Sequence, residues 1–337
     1  MRTLVCEEPG RFAYKETVVG RPAGGESLLR IKRVGICGTD LHAFEGTQPY
    51  FEYPRILGHE LAAEFIEGDA EGFQPGETVT IMPYFYCGRC IACRNGKTNC
   101  CRQIKVCGVH QDGGLQEYFI APSYSLLHSE GLSPDALALA EPLAIGAHAV
   151  RRAAVRKDEF ALVIGAGPIG LGIMEFLKIA GANVIAMDIN KARLAFCKEK
   201  LRIPFLVDAA GNEFVGQLEK ITGGDMPTVL IDATGNLKAI QNAFQYMAHG
   251  GRYVLVGLQK EVIGFSHPEF HKREGTLMSS RNARPEDFKQ VISHIKNGNI
   301  DPATYITHRV RFEEVKDNFA SWLKTESGVI KAMVSFE

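Results

Sequence analysis

At 337 residues, with 45% hydrophobic and 23% charged side chains, the chain has the balance of a soluble globular protein and room for two domains. Its 38 basic and 39 acidic residues leave a formal charge of −1 with no long run of either sign, which sets a nucleic-acid binder aside. The N-terminus lacks the apolar core of a secretory signal, and no stretch reaches the ~18 apolar residues of a membrane span, so the expected location is cytoplasmic.

From 1 to about 150, short β-branched runs at 27–34, 62–66, 77–81 and 116–120 are cut by Gly and Pro. Such spacing predicts short strands, long loops and a small irregular barrel. From about 151 to 285 the texture changes to alternating strand and helix patterns. Strands are expected at 160–164, 182–188, 228–232 and 251–257, and helices at 169–180 and 192–200. That alternation predicts a parallel sheet with crossover helices. The last zone holds a helix at 285–296, an extended run at 306–312, another helix and a closing strand at 329–336. No low-complexity tract or internal repeat interrupts the chain.

The run Gly165-Ala-Gly167-Pro168-Ile169-Gly170 places G-x-G-x-x-G between a predicted strand and a predicted helix. The first glycine permits the tight turn, the second lets backbone approach a pyrophosphate, and the third allows close helix–strand packing. The helix N-terminus then offers unpaired N–H groups and a positive dipole end to phosphates. Asp188 ends the next strand, 18 residues after Gly170. A carboxylate there accepts from ribose hydroxyls and repels a 2′-phosphate, which favours NAD over NADP. Lys191 and Arg193 follow closely, as adenosine-side contacts or as solvated helix charges, and they leave NADP open.

Nine cysteines, an odd number, argue against a disulfide framework and for metal or catalysis. Cys87, Cys90, Cys93 and Cys101 are spaced as a short-loop set of four thiolates, which suits a closed, tetrahedral structural zinc. An iron–sulfur cluster uses similar spacings, but the flanks lack the proline that follows a cysteine in the common ferredoxin run. Cys100 makes the fourth ligand ambiguous by one residue. Further ligand types occur as Cys37-Gly-Thr39-Asp40-Leu-His42, Gly58-His59-Glu60 and Glu141-Pro142. Taken singly, a His is more often core or surface than ligand, a Cys after an apolar strand more often packing, and a Glu-Pro commonly a helix cap.

In this order, ahead of a nucleotide fold, these segments resemble the zinc-containing medium-chain dehydrogenases, and the resemblance covers essentially the whole chain. It includes Gly76-Glu-Thr-Val79, Gly108-Val-His-Gln-Asp-Gly-Gly114 and Asn99, whose place before the last lobe cysteine makes Cys101 the ligand. It implies a GroES-like irregular β-barrel catalytic domain at 1–150, with 287–337 returning to it, and a Rossmann NAD-binding domain at 151–286. Glu141 resembles the branch containing sorbitol, threonine and sugar-acid dehydrogenases, which uses Glu as third protein ligand. The segments at 279–282 and 306–308 resemble bacterial enzymes acting on hexonates such as L-galactonate.

The resemblance implies that Cys37, His59 and Glu141 hold a catalytic zinc, with Glu60 beside it or as an exchanging ligand. Asp40 would orient His59, Thr39 and His42 would relay the proton, and Thr234, Val256 and Leu258 would lie near the nicotinamide. Two departures stand out: Ala63 and Asp69 replace family glycines, which touches local backbone rather than chemistry. The expected activity is NAD-linked oxidation of a secondary alcohol on a polyol or sugar acid by a homo-oligomer with two zincs per chain. Phe44, Tyr50, Phe51, His271 and Arg281 are candidates for the substrate pocket, equally readable as packing or surface. A zinc-free reductase on the same scaffold would lack the cysteine lobe. A sensor that binds NAD and zinc without turnover is the rival from another class.

Overall fold

The computed structural model describes every residue except Tyr50, Asn212 and Glu337. The chain divides into two compact units, one of Met1–Glu141 with Arg284–Glu337 and the other of Pro142–Ala283. The first unit's opening segment ends at Glu141, in the first turn of the helix Ala140–Ala153.

The first unit is built on one long strand, Glu26–Ile36. It pairs antiparallel with Glu60–Gly68, Tyr118–Pro122 and Lys331–Ser335, and Ile306–Arg311 joins the last of these in parallel. Thr78–Ile81 and Leu126–His128 extend the sheet on the other side. Register shifts near Leu28 and Ile31 bend the long strand and increase its twist, which lets it serve several partners in turn. Its inward side chains, among them Leu29, Ile31 and Val34, join Leu61, Val79, Ile81, Phe119 and Val334 in one core. The strands Arg2–Glu8 and Arg11–Glu16, with Arg55–Ile56, form a second, small sheet that the sequence pattern did not predict. Their charged ends break the apolar alternation that marks the other strands.

The second unit carries a six-stranded parallel sheet. Its members, in chain order, are Phe160–Ile164, Asn183–Asp188, Phe205–Asp208, Val229–Asp232, Arg252–Leu255 and Thr276–Ser279. Their spatial order is third, second, first, fourth, fifth, sixth, the arrangement of a dinucleotide-binding fold. The inner strands are almost wholly buried and apolar, as a sheet covered on both faces requires. The two strands that the sequence pattern did not predict, Phe205–Asp208 and Thr276–Ser279, are the two edges, where burial is incomplete and the apolar run weaker. Within this unit the helix Ala140–Ala153 lies so close to Pro168–Ile179 that a Cβ on Gly146 would sit 2.7 Å from the Gly172 carbonyl carbon. Gly146→Leu therefore forces the two helices apart and should cost about 1–3 kcal/mol. Thermal unfolding measures this, and an unchanged midpoint would contradict the close packing.

Candidate active site

The first cluster forms where the long strand ends. Cys37 is the N-cap of the helix Gly38–Glu45, and the carboxylate of Asp40 accepts the backbone N–H of Cys37 at 2.9 Å. Its other oxygen accepts the N–H of Gly58 at 3.0 Å, tying the helix to the loop that carries His59. Asp40 is buried, and burial raises its pKa, but the facing His59 and the two backbone N–H groups together outweigh that and hold it below the usual value. Burial likewise works against charge on His59, while Asp40 and the Cys37 thiolate push it well above the ordinary imidazole value. His59 Nδ1 faces Asp40 Oδ1 at 3.6 Å, longer than a hydrogen bond, so it is charge attraction that turns this side of the ring toward the carboxylate. Nε2 is then the nitrogen left to ligate, the usual division of labour for a metal-bound histidine.

Glu60 follows on the same strand and is fully buried. Lys331, equally buried, reaches both of its oxygens at 2.5 and 2.7 Å and donates to the Ile36 carbonyl at 3.1 Å. Burial alone would lower the lysine's pKa; Glu60, with Cys37 and Glu141, more than offsets this and raises it. Glu60 lies flat over Gly35, where any Cβ would come within 2.1 Å of Oε2. Ligand atoms of Cys37, His59 and Glu60 lie within 4.8 Å of one another. Glu141 falls outside that group of three. It is buried in the first turn of its helix, and its Oε1 accepts a hydrogen bond from the buried phenol of Tyr84. Burial moves its pKa up to about 7, with His59, Glu60 and Lys331 all close enough to act on it.

The donor set fits a divalent cation. Lys331 cancels the charge of Glu60, and the Cys37 thiolate and Glu141 carboxylate then carry two negative charges that a dication balances. Thiolate, imidazole and carboxylate together suit zinc. Thr39 and His42 sit three residues apart on the helix Gly38–Glu45 and so share a face. Thr39 is half-buried, whereas His42 is exposed and within 3.2 Å of the Thr47 hydroxyl.

The second cluster brings Cys87, Cys90, Cys93 and Cys101 together, with Cys100 exposed outside it. Two of the sulfur pairs, Cys90–Cys93 and Cys87–Cys101, are 3.5 Å apart, close to the ~3.8 Å edge of a tetrahedron with zinc–sulfur bonds of ~2.3 Å. Backbone N–H groups of Cys87 and Gln103 point at Cys101 Sγ, each at 3.3 Å. The amides of Arg102 and Cys93 bring the Cys90 thiol down to about 6, so thiolate is the favoured form there. A closed set of four thiolates is the chemistry of structural zinc.

In the second unit Gly165 takes φ +98°, and a Cβ there would meet the Thr234 methyl at 2.7 Å. Gly170 packs so tightly on the Gly165 carbonyl that a Cβ would lie 1.9 Å from it. Gly167 is the reverse case, with no protein atom nearer than Arg193 Nη1 at 3.9 Å from its Cβ position. It caps the helix Pro168–Ile179, with Pro168 and Ile169 in the first turn, leaving a backbone cradle open for a pyrophosphate. The Asp188 carboxylate accepts from Ala166 N at 2.6 Å and Asn190 N at 2.8 Å, so it braces the glycine loop as well as ending its strand. Lys191 is 85% exposed, its nearest carboxylate being Asp208 at 3.8 Å.

Thr234 donates its hydroxyl to Asp232 at 2.6 Å, and Asp232 also accepts Gly235 N at 3.0 Å. The turn at Gly235 abuts Gly257, flanked by Val256 and the exposed Leu258. The expected nicotinamide residues are thus brought together, around a buried Asp232 that no sequence motif marks. Lys331 and Tyr84 were also missed; a lone Lys or Tyr in a strand carries no motif. Of the pocket candidates, Phe44 belongs to the core, stacked on Phe12, and Phe51 packs on Tyr53. His271 lies beside His267 on an exposed short helix, Arg281 is exposed, and Tyr50 lies outside the described residues.

Two family models match the chain: the alcohol dehydrogenase GroES-like domain over residues 23–131 and the zinc-binding dehydrogenase over residues 168–297. L-galactonate-5-dehydrogenase of Escherichia coli K12 is 43% identical across 100% of this chain and 99% of its own length. Sorbitol dehydrogenase of Halalkalibacterium halodurans is 30% identical, covering 93% of this chain and 94% of its own. Among solved structures, the alcohol dehydrogenase RspB of Escherichia coli CFT073, complexed with NADH, has a TM-score of 0.92 and 30% identity, covering 100% of this chain and 99% of that one. The chain belongs to the zinc-type medium-chain dehydrogenases. It is an oxidoreductase whose cofactors are zinc and a nicotinamide dinucleotide.

Lys331→Met strands Glu60 as a buried, unpaired charge and should cost about 3–5 kcal/mol, most of it recovered in the Lys331→Met, Glu60→Leu double variant. Denaturant unfolding decides, and equal losses in both would contradict the pairing. Cys90→Ser should lose lobe zinc and lower the thermal midpoint before it affects turnover, since structural zinc contributes folding energy. Full stability with the lobe metal gone would refute that role.

Proposed function

We propose that the chain oxidises a secondary alcohol of a hexonate such as L-galactonate, with NAD as hydride acceptor. The observation that carries the reading is the cluster of half-buried Cys37 with buried His59 and Glu60, the last already neutralised by Lys331, and a buried Glu141 close enough to feel His59 and Glu60. Full-length identity of 43% to a named L-galactonate-5-dehydrogenase supports the substrate class.

Cys37, His59 and Glu141 would hold the catalytic zinc, which when bound supplies Lewis acidity that lowers the pKa of a substrate hydroxyl. Asp40 holds the His59 ring through its Nδ1 side. The Thr39 hydroxyl would accept the substrate's proton while giving up its own toward the nicotinamide ribose, and His42, exposed on the same helix face, would pass a proton on to solvent. NAD, which when bound would accept the carbinol hydride, would rest its pyrophosphate on the cradle of Gly165, Gly167, Pro168, Ile169 and Gly170. Asp188 would take the adenosine ribose with Arg193 alongside, and Thr234, Val256 and Leu258 would line the nicotinamide. Cys87, Cys90, Cys93 and Cys101 would hold the structural zinc. Thiolate ligation needs a reducing compartment, which supports a cytoplasmic location. The exposed edge strand Thr276–Ser279, with Leu277 at its centre, supports assembly into a homo-oligomer.

The test is NADH formation with L-galactonate, other hexonates, sorbitol and L-threonine, each repeated with NADP. Activity on a hexonate with NAD preferred is expected; turnover confined to L-threonine or sorbitol would move the substrate to that class, and none on any would favour a sensor. Cys37→Ser should abolish turnover while leaving the unfolding free energy within about 1 kcal/mol of the parent. Retained activity in that variant would sink the assignment of Cys37.

A further inference from the structure

Besides Asp40, two carboxylates are buried near Cys37 and His59, and different partners hold them. Lys331 bonds to both oxygens of Glu60. Tyr84 bonds only to Oε1 of Glu141, which leaves Oε2 uncommitted. The phenol has no freedom to withdraw. Tyr84 is 3% exposed, sits in the two-residue strand Tyr84–Phe85 just ahead of the cysteine lobe, and its ring packs edge-on against the buried Phe288 at 6.3 Å. The strand pairs with Lys105–Val106, so the backbone that carries the phenol is itself fixed.

We propose that Tyr84 is a positioning residue for Glu141, fixing Oε1 so that Oε2 alone is presented to the metal. The inference rests on Glu141 belonging to the catalytic zinc set. A neutral donor on one oxygen suits that role, because it orients the carboxylate without cancelling its charge. The Lys331 ammonium, by contrast, neutralises Glu60 and occupies both of its oxygens. The ligand choice between the two glutamates is thereby set by their partners, one a cation and one a phenol. Removing the phenol frees the carboxylate to rotate and to engage through either oxygen or both.

The test is made on the whole protein with Tyr84→Phe, Glu141→Ala and the double variant. Zinc affinity is read by chelator competition on the metal-stripped catalytic site, and ligand geometry by the visible absorption of the cobalt-substituted site. Tyr84→Phe keeps the ring that packs on Phe288, so the fold is retained. It should weaken zinc binding by about 10- to 100-fold, the usual effect of losing a partner that orients a ligand, and shift the cobalt spectrum. In the Glu141→Ala background the same change should have no further effect. An unchanged affinity and spectrum in Tyr84→Phe, with Glu141→Ala altered, would overturn the role of Tyr84 alone. A Glu141→Ala protein that binds metal as the parent does would overturn the ligand reading beneath it. A Tyr84→Phe effect that persists without Glu141 would show that the phenol acts elsewhere, and would overturn the proposal too.

Discussion

A lysine ammonium almost without access to water, bonded to both oxygens of an equally buried glutamate, sets the electrostatics of the cluster around Cys37. Around Cys37 the chain buries an imidazole and three carboxylates, Asp40, Glu60 and Glu141, beside the half-buried thiolate itself. Unpaired, such charges would each cost several kcal/mol of desolvation. Asp40 is matched to His59 and to two backbone amides, and Glu60 is matched to Lys331. What is left over is a thiolate and the Glu141 carboxylate, a charge of two that a zinc ion balances.

The topology delivers these groups from far apart in the sequence. Cys37 follows the end of the long strand, Glu60 opens its antiparallel neighbour, and Lys331 opens the strand on its other side. One strand flanked by two partners therefore places cation, carboxylate and thiolate at one end of the sheet. Gly35 completes the arrangement, because only a residue without Cβ lets Glu60 lie across the strand toward Lys331. In the second unit the logic is local. The glycine loop is braced by Asp188 from the next strand and by the Thr234 turn, which Asp232 in turn holds.

What could be read from the sequence follows the same division. The glycine loop, the four-cysteine lobe and the buried strands Phe160–Ile164 and Asn183–Asp188 were legible because their chemistry is local and their spacing repeats a physical requirement. The choice of Cys101 over Cys100, open on spacing alone, is matched by the geometry, which leaves Cys100 exposed. The edge strands Phe205–Asp208 and Thr276–Ser279 were illegible because they are half exposed and lose the apolar run. Lys331 was illegible for a deeper reason: it lies 271 residues from its partner, and a lysine near a chain end reads as solvated surface until pairing brings it to Glu60. Tyr84 and Asp232 were missed likewise, since each acts through a neighbour and carries no motif of its own. Phe44 went the other way, a pocket candidate that proved to be core.

The central claim is that this chain carries two zinc sites of different chemistry, one closed by sulfur and one mixed and buried beside Lys331. Metal analysis combined with zinc X-ray absorption of the purified protein tests it most directly. One zinc is expected for each of the two clusters, with an average ligand shell of sulfur mixed with nitrogen and oxygen. A single zinc with an all-sulfur shell, in protein that still reduces NAD at the expense of an alcohol, would contradict it.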